Sequence, residues 1–322
     1  MRQLPLVSVV VLNWNGKRYI DKFLGSFLSQ TYPRDRLELI FTDNASSDDS
    51  VSYFTKKYGD ISGVKIVVND KNYGYAGGNN LGIKNASGDY ILICNNDLEL
   101  DKDVVRELVN TAEKQNSSIT TVKLMFLNKP GVINNAGSRL APNSTWPTYE
   151  IGANEKDEGQ YDKLREITAF CGACVLIRRD FLQTVGLFDK RFFMYFEDGD
   201  LSWRGQKAGY KFYYEPKAVA YHVHTGSSTE GSPLFNHYVG RNRILIMLKN
   251  ARFRVFLRTC AVVFKEHVIF RMKNLLASLS GNYSKRLAMS EFLMSQKMIW
   301  AAIGLSPYIL LKRFGIIKEE VL

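Results

Sequence analysis

An α/β fold, built on a mostly parallel central sheet with flanking helices and continued by a C-terminal helical extension, is what this sequence predicts, on three observations. Apolar, β-branched runs alternate with helical stretches from Val7 to Leu124, the pattern of successive strand–helix units. The apolar runs stop abruptly in polar residues, as buried parallel strands do at the carboxyl edge of an open sheet. The excess positive charge lies entirely at the end of the chain: residues 1–240 hold 28 Lys/Arg against 28 Asp/Glu, and residues 241–322 hold 15 against 4.

The first unit is Val7 to Leu12, closed by Asn13-Trp14-Asn15-Gly16 and followed by a helix over Arg18 to Gln30, with Ile20, Phe23, Leu24, Phe27 and Leu28 on one stripe. Tyr32-Pro33 ends that helix. Leu37 to Thr42 forms the second strand and stops at Asp43; Ser46, Ser47 or Asp48 then caps a helix carrying Val51 to Tyr58. Val64 to Val68 is the third strand. It leads into Asn72-Tyr73-Gly74-Tyr75-Ala76-Gly77-Gly78-Asn79-Asn80, which reads as a loop whose glycines let the backbone approach a ligand, ahead of a helix aimed at an anion. The fourth strand, Tyr90 to Cys94, runs into Asn95-Asn96-Asp97. Three polar strand ends at one sheet edge make a nucleotide-sized pocket.

Lys102 to Gln115 reads as a helix and Ile119 to Leu124 as a strand. Residues 128–166 lack periodicity and read as a long irregular loop, a substrate lid. Ile167 to Phe170 and Cys174 to Ile177 resume extended structure around Gly172. An aromatic run then meets Glu197-Asp198-Gly199-Asp200, ahead of a helix from Leu201 to Lys207. Acids there suit a helix start, and equally a base whose pKa an apolar wall raises. Lys211 to Tyr214 and Ala218 to Tyr221 read as short strands, the second delivering His222 and His224.

The length fits one large domain over residues 1–240 and a basic, amphipathic helical region over 241–322. The four cysteines are too few and scattered for a disulfide framework, and Cys171 and Cys174 read as core residues. Leu4 to Leu12 is interrupted by Pro5 and Ser8, so no signal peptide is expected. The longest apolar window, Met298 to Leu311, contains Pro307 and falls short of the roughly 20 residues needed to span a bilayer. The chain is therefore expected in the cytoplasm, peripheral on the inner face of the cell membrane, with its basic helices serving either a membrane surface or a homo-oligomer contact. No nucleic-acid reading motif accompanies the basic tail, and the first strand–helix turn lacks the G-x-G-x-x-G of a dinucleotide dehydrogenase.

Taken together, Val7 to Gly16, Asp43-Asn44-Ala45-Ser46, Asn72 to Asn80, Asn95-Asn96-Asp97, Phe188 to Leu201 and His222 to Ser228 resemble the inverting family 2 glycosyltransferases of GT-A fold, in particular their rhamnosyltransferase-like branch. The resemblance implies a Rossmann-like GT-A domain and a metal-dependent glycosyltransferase. Such an enzyme moves a sugar from a UDP- or dTDP-linked donor to a glycan or lipid-linked glycan in cell-surface polysaccharide synthesis. It implies that Asp43, with the Asn13 to Asn15 backbone, serves the base, and that Asn44, Asn72, Gly77, Asn79, Asn95, Asn96 and Arg241 line the nucleotide-sugar. Asp97 and His222, with His224 as the alternative, would hold Mg2+ or Mn2+; Asn95 stands where the family carries an aspartate, one negative charge fewer. Asp198 would be the general base and Glu197 its orienting acid, with Asp200 behind them. Gly172, Ala173 and Trp203 are expected on the acceptor side. A non-catalytic nucleotide-sugar-binding module and a sugar nucleotidyltransferase are the competing readings. The second places a glycine-rich signature beside the first strand, which Asn13 to Gly16 does not supply.

Overall fold

The structure is a computed structural model that describes residues 3–223, 232–279 and 284–322. β1 (Val7–Asn13), α1 (Lys17–Leu28), β2 (Leu37–Asp43), α2 (Ser50–Tyr58), β3 (Val64–Val68), α3 (Gly74–Lys84) and β4 (Tyr90–Asn95) form a parallel half-sheet with β1 between β2 and β4. Its register pairs Asn13 with Asp43 and Leu12 with Asn95, so the polar ends of three strands stand at one height. β1, β2 and β4 are buried along almost their whole length, which is why they read as continuous apolar runs.

The chain continues through β5 (Leu98–Leu100), α4 (Val104–Gln115), β6 (Ile119–Phe126), β7 (Ile133–Asn135), β8 (Ser138–Leu140), β9 (Thr148–Glu150), β10 (Arg165–Ile167), β11 (Cys174–Arg178), α5 (Arg179–Thr184), α6 (Glu197–Lys207) and β12 (Phe212–His222). The sheet order is β10-β12-β6-β11-β4-β1-β2-β3, with β11 antiparallel between β4 and β6. One apolar layer packs Phe23, Phe27 and Leu108 beneath α1 and α4; the other packs Ile83, Phe181 and Leu201 beneath α3, α5 and α6. Because β5 pairs with β12, the turn after β4 is drawn against the end of β12.

Four expectations are corrected here. The glycine-rich segment is helix rather than loop: α3 begins at Gly74. A Cβ on Gly78 would meet Leu12 at 2.6 Å and one on Gly82 would meet Val10 at 2.5 Å, so these glycines let α3 lie close on β1. Residues 128–166 are not irregular but carry β7 to β10, pinned by Lys123 to Asp157 and Asp162 at 2.6 Å each. Three-residue strands are too short to show a period. The two short strands after residue 210 are one, β12, interrupted by a register shift between Glu215 and Val219 around Pro216, which has no N–H to pair. Finally, α6 starts at Glu197, four residues before the expected Leu201, so Glu197, Asp198 and Asp200 all sit in its first turn.

The C-terminal region comprises α7 (Pro233–Asn250), α8 (Phe253–Phe264), a π-helical turn Lys265–Ile269, α9 (Phe270–Leu279) and α10 (Lys285–Arg313). Ser232 Oγ accepts from Phe235 N and Pro233 occupies the first helical position, a strong start for α7. α7 packs on α10 and runs straight through residue 240, so no boundary falls there between the sheet domain and the C-terminal helices. Beyond α10 the chain returns to the sheet domain: Leu187 N donates to Glu320 O at 2.6 Å. Among the described residues no helix is long and apolar enough to cross a membrane.

Candidate active site

The site is assembled by strand ends. Asp43 is buried at the end of β2, where its carboxylate accepts from Asn13 Nδ2 at 2.9 Å, Ser46 Oγ at 2.6 Å and Ser46 N at 2.8 Å. Three donors leave room for about one more on a carboxylate. Asn13 Oδ1 in turn accepts from Asn96 Nδ2 at 2.8 Å, so a buried amide ties Asp43 to the turn after β4. Asn15 adopts a left-handed backbone and its Oδ1 accepts from Ser47 N at 2.7 Å and Asp48 N at 3.2 Å, which shapes the neighbouring loop.

In that turn Asp97 is buried, and its Oδ1 lies 3.2 Å from His222 Nε2 at the end of β12. Val223 N donates to Asp97 O at 3.1 Å, extending the β5–β12 pairing that brings the two together. His222 Nδ1 is 2.9 Å from Asn134 Oδ1, a carbonyl that only accepts, so Nδ1 carries a proton and Nε2 faces Asp97. Asn95 Nδ2 stands 3.5 Å from the same Nε2. A carboxylate oxygen and an imidazole nitrogen converging this closely require a proton or a cation between them, and the donor set suits a divalent cation. His224 lies outside the described residues.

The buried carboxylates at the start of α6 join this arrangement through backbone. Asn95 N donates to Ala173 O at 2.9 Å, and Gly172 N donates to Asp198 Oδ2 at 3.1 Å. Tyr75 OH closes the link by donating to Gly172 O at 2.5 Å, and a Cβ on Gly172 would stand 2.6 Å from that hydroxyl. Glu197 is buried and its Oε2 has no hydrogen-bond partner among the described residues. Burial pushes Glu197 well above the ordinary carboxylate range, and the charge of Asp198 adds to it. Burial also raises Asp198, while the N–H groups of Gly172 and Gly199 restrain it. Of the pair, Glu197 is buried and raised by both burial and its neighbour's charge, whereas Asp198 is half-buried and held by two backbone N–H groups.

The turn before α6 carries Phe193, Tyr195 and Phe196 at φ of 66, 68 and 69°. It is fastened from two sides. Phe193 O accepts from Ala76 N at 3.0 Å at the start of α3, and Asn242 Nδ2 lies 2.8 Å from the carbonyls of Phe192, Met194 and Tyr195. Arg241 Nη2 reaches Arg191 O at 2.9 Å and Phe192 O at 2.7 Å, and its Nε reaches Asn242 Oδ1 at 2.8 Å. The guanidinium is thus largely engaged by the turn, with its burial lowering its pKa.

Several expected site residues do other work. Asn44 uses its whole amide internally, donating to Asn72 Oδ1 and Gly74 O and accepting from Asn69 and Tyr73, so it latches the start of α3 and does not face a base. Asn72 Oδ1 accepts from Gly74 N at 2.8 Å, and with Phe193 O on Ala76 N the α3 terminus has little left for an anion. Gly77 faces Tyr73 inside α3; Asn79 is fully buried, donating to Tyr75 O. Trp203 belongs to the core with Phe192, Leu245 and Ile246 rather than to an acceptor surface. Asp200 sits behind the pair in a network with Arg204 at 2.9 Å and Lys249 at 2.9 Å. Burial alone would raise it, but those cations drive it far below the usual range. Asp189, Asp200 and Glu319 cluster closely enough for a metal, yet Lys249 and Lys312 already occupy them. Sequence reasoning missed Tyr75, Asn134 and Asn242; only the Arg-Asn pair at 241–242 signalled the last.

A family model described as Glycosyl transferase family 2 matches residues 8–186. The chain is 26% identical over 211 residues to the low-salt glycan biosynthesis hexosyltransferase Agl10 of Haloferax volcanii, covering 62% of each chain. It is 24% identical over 253 residues to the N-acetylglucosaminyl-diphospho-decaprenol L-rhamnosyltransferase of Mycobacterium tuberculosis, covering 71% of this chain and 79% of that one. The match with Agl10 thus spans less than two thirds of that protein's length. The mannosyltransferase PcManGT from Pyrobaculum calidifontis, solved with GDP-Man and Mn2+, shares the fold at a TM-score of 0.55 and 16% identity, over 94% of this chain and 87% of that one.

Proposed function

The chain belongs to glycosyl transferase family 2, and from that premise we propose that it is a metal-dependent, inverting glycosyltransferase of cell-surface polysaccharide synthesis. Its donor is a UDP- or dTDP-linked sugar, with rhamnose a candidate, and its acceptor is a hydroxyl of a glycan or lipid-linked glycan. The observation that carries this reading is one continuous set of contacts. From Asn95 and Asn96, hydrogen bonds lead through Asn13 to Asp43 on one side and through Ala173 and Gly172 to Asp198 on the other. That set joins Asp43 to the Glu197-Asp198 pair along one strand edge, which supports reading them as the base-recognising and acid–base ends of one site.

In this reading Asp43 receives the pyrimidine, and Asp97 and His222 hold the divalent cation. When bound, that ion neutralises the diphosphate and stabilises the charge that the leaving nucleoside diphosphate gains. Fold similarity to a protein solved with GDP-Man and Mn2+ supports the choice of ion. Asp198 takes the proton of the acceptor hydroxyl as its oxygen attacks the anomeric carbon and the bond to the diphosphate breaks on the opposite face. One displacement inverts the centre. Glu197, protonated, keeps a second negative charge away from Asp198. Arg241 retains Nη1 for the diphosphate after its other donors fasten the aromatic turn.

The test is a screen of nucleotide-sugars with Mg2+ or Mn2+, reading release of nucleoside diphosphate without acceptor and then with glycan acceptors. Metal-stimulated release from a UDP- or dTDP-sugar, lost in Asp198→Asn, is expected. Binding of a donor with no release under any condition would favour the non-catalytic module instead.

A further inference from the structure

The surface of the C-terminal helices differs from that of the rest of the molecule. Of the exposed large apolar side chains among the described residues, 8 precede residue 233 and 18 follow it. They are ordered. On α8, Phe253, Leu257 and Phe264, four and seven residues apart, form one stripe, while Val255, Thr259 and Val263 form the buried one. On α10, Leu293, Trp300 and Leu311 lie on a stripe turned away from the buried Ala288, Met298 and Ala302, and Trp300 is 68% exposed. Leu276 and Leu279 of α9 are 63% and 71% exposed. A monomer in water does not leave this much ordered apolar area bare.

Charge identifies what covers it. Residues 251–313 hold 11 Lys/Arg and 2 Asp/Glu. Both acids are engaged within the protein, Glu266 with Arg243 at 2.8 Å and Glu291 with Arg271 at 2.9 Å. Arg254 and Arg258 of α8, with Lys265 at the start of the π-helical turn that follows, are exposed beside the apolar stripe and make no ion pair among the described residues. Basic side chains flanking an apolar stripe, with an exposed tryptophan, suit a helix lying in the headgroup region with its lysines and arginines reaching phosphates. A second copy would bring the same positive excess against itself across a two-fold contact. No described helix qualifies to span a bilayer, so the contact is with one leaflet.

We propose that α8, α9 and α10 form a monotopic face that seats the protein on an anionic lipid surface. This surface is separate from the transfer reaction and stands without it. It is nevertheless tied to the site through α7, which packs on α10 and carries Arg241 and Asn242 to the turn before Glu197. A protein so seated meets an acceptor at the lipid interface.

The test is flotation of the full chain with phosphatidylcholine vesicles and with vesicles that also contain phosphatidylglycerol, at low and high salt. Co-flotation with the anionic vesicles alone is expected, weakened by salt. Neutralising R254Q, R258Q and K265Q together should weaken partitioning about a hundredfold, roughly fivefold per charge. F253S with F264S should also release the protein, and donor hydrolysis by both variants should stay at the wild-type level, which reports that they are folded. Asp198→Asn should float like the wild type, so loss of transfer and loss of membrane binding are separate outcomes. Wild type and the triple variant partitioning alike would overturn the proposal. So would a wild type that ignores anionic vesicles and elutes as a dimer dissociated by F264S, which would make the face a contact between copies.

Discussion

Asn242 Nδ2 lies 2.8 Å from the carbonyl oxygen of Tyr195, two residues before Glu197. A side chain from the C-terminal helices therefore closes the turn that aims the acid pair. The same amide reaches Phe192 O and Met194 O, and the turn holds three aromatic residues at positive φ. Each such residue stores about 1–3 kcal/mol and persists only where its surroundings hold it.

Asn242→Ala removes that hold and leaves buried carbonyls unpaired, at a cost to stability of about 1–3 kcal/mol. Because Asn242 touches neither donor nor acceptor in the proposed arrangement, turnover should fall at least about tenfold with the donor KM nearly unchanged. Steady-state kinetics beside thermal unfolding check this. A donor KM that rises while turnover holds would place the residue at the donor instead.

Asp198→Asn keeps the side-chain volume but removes the proton acceptor. Turnover should drop about 10²–10⁴-fold, with donor affinity retained. Burial raises the Asp198 carboxyl, so wild-type activity should fall on the acid side at a higher pH than an ordinary aspartate would dictate. A pH–rate profile with no acid limb above the usual aspartate range contradicts the assignment.

A chelator should abolish transfer, and Mg2+ or Mn2+ should restore it. Asn134→Ala tests the same centre indirectly, because Asn134 holds His222 Nδ1 at 2.9 Å and so directs Nε2 at Asp97. Loss of such a supporting contact typically weakens metal affinity about 10–100-fold. Titration of Mn2+ into the wild type and this variant, followed by calorimetry, measures the ratio. Equal affinities would remove His222 from the metal role.

How much of this was readable beforehand depends on range. β1, β2 and β4 and their polar ends were plain because strands buried on both faces must be apolar and must stop where the sheet meets solvent. Asp43 and Asp97 stood out for that reason, and Glu197-Asp198 because acids follow an aromatic run at a helix start. The Gly74 to Gly82 segment misled, since local propensity reads glycine as loop, whereas close approach to Leu12 and Val10 demands it in a helix. Trp203 misled because its proximity in sequence to the acids says nothing about which helical face packs on Leu245. Asn134 was invisible: its partner is 88 residues away, and its surroundings show no period.

Lys249 offers the clearest stability test. It lies buried between Asp189 at 3.2 Å, Asp200 at 2.9 Å and Glu319 at 2.8 Å, so Lys249→Met would leave buried carboxylates short of a counter-charge. The expected loss is about 3–5 kcal/mol at neutral pH, read by denaturant unfolding.

Glu197 runs the opposite way, since its folded pKa is raised above the unfolded value. The folded state takes up this proton more readily than the unfolded one, so the group's contribution is fully present below the ordinary glutamate range. It is lost as pH rises through the raised folded value. Glu197→Gln removes that dependence, because an amide mimics the protonated acid at every pH. The variant should therefore match the wild type in stability near pH 4 and exceed it by a growing margin up to neutral pH. Activity should change little, because the amide keeps a neutral, buried neighbour beside Asp198, whose own carboxyl is raised by burial. Thermal unfolding from about pH 4 to pH 8 measures the margin; a constant offset between the two proteins across that range would show that Glu197 is ionised where the buried pair requires it to be neutral.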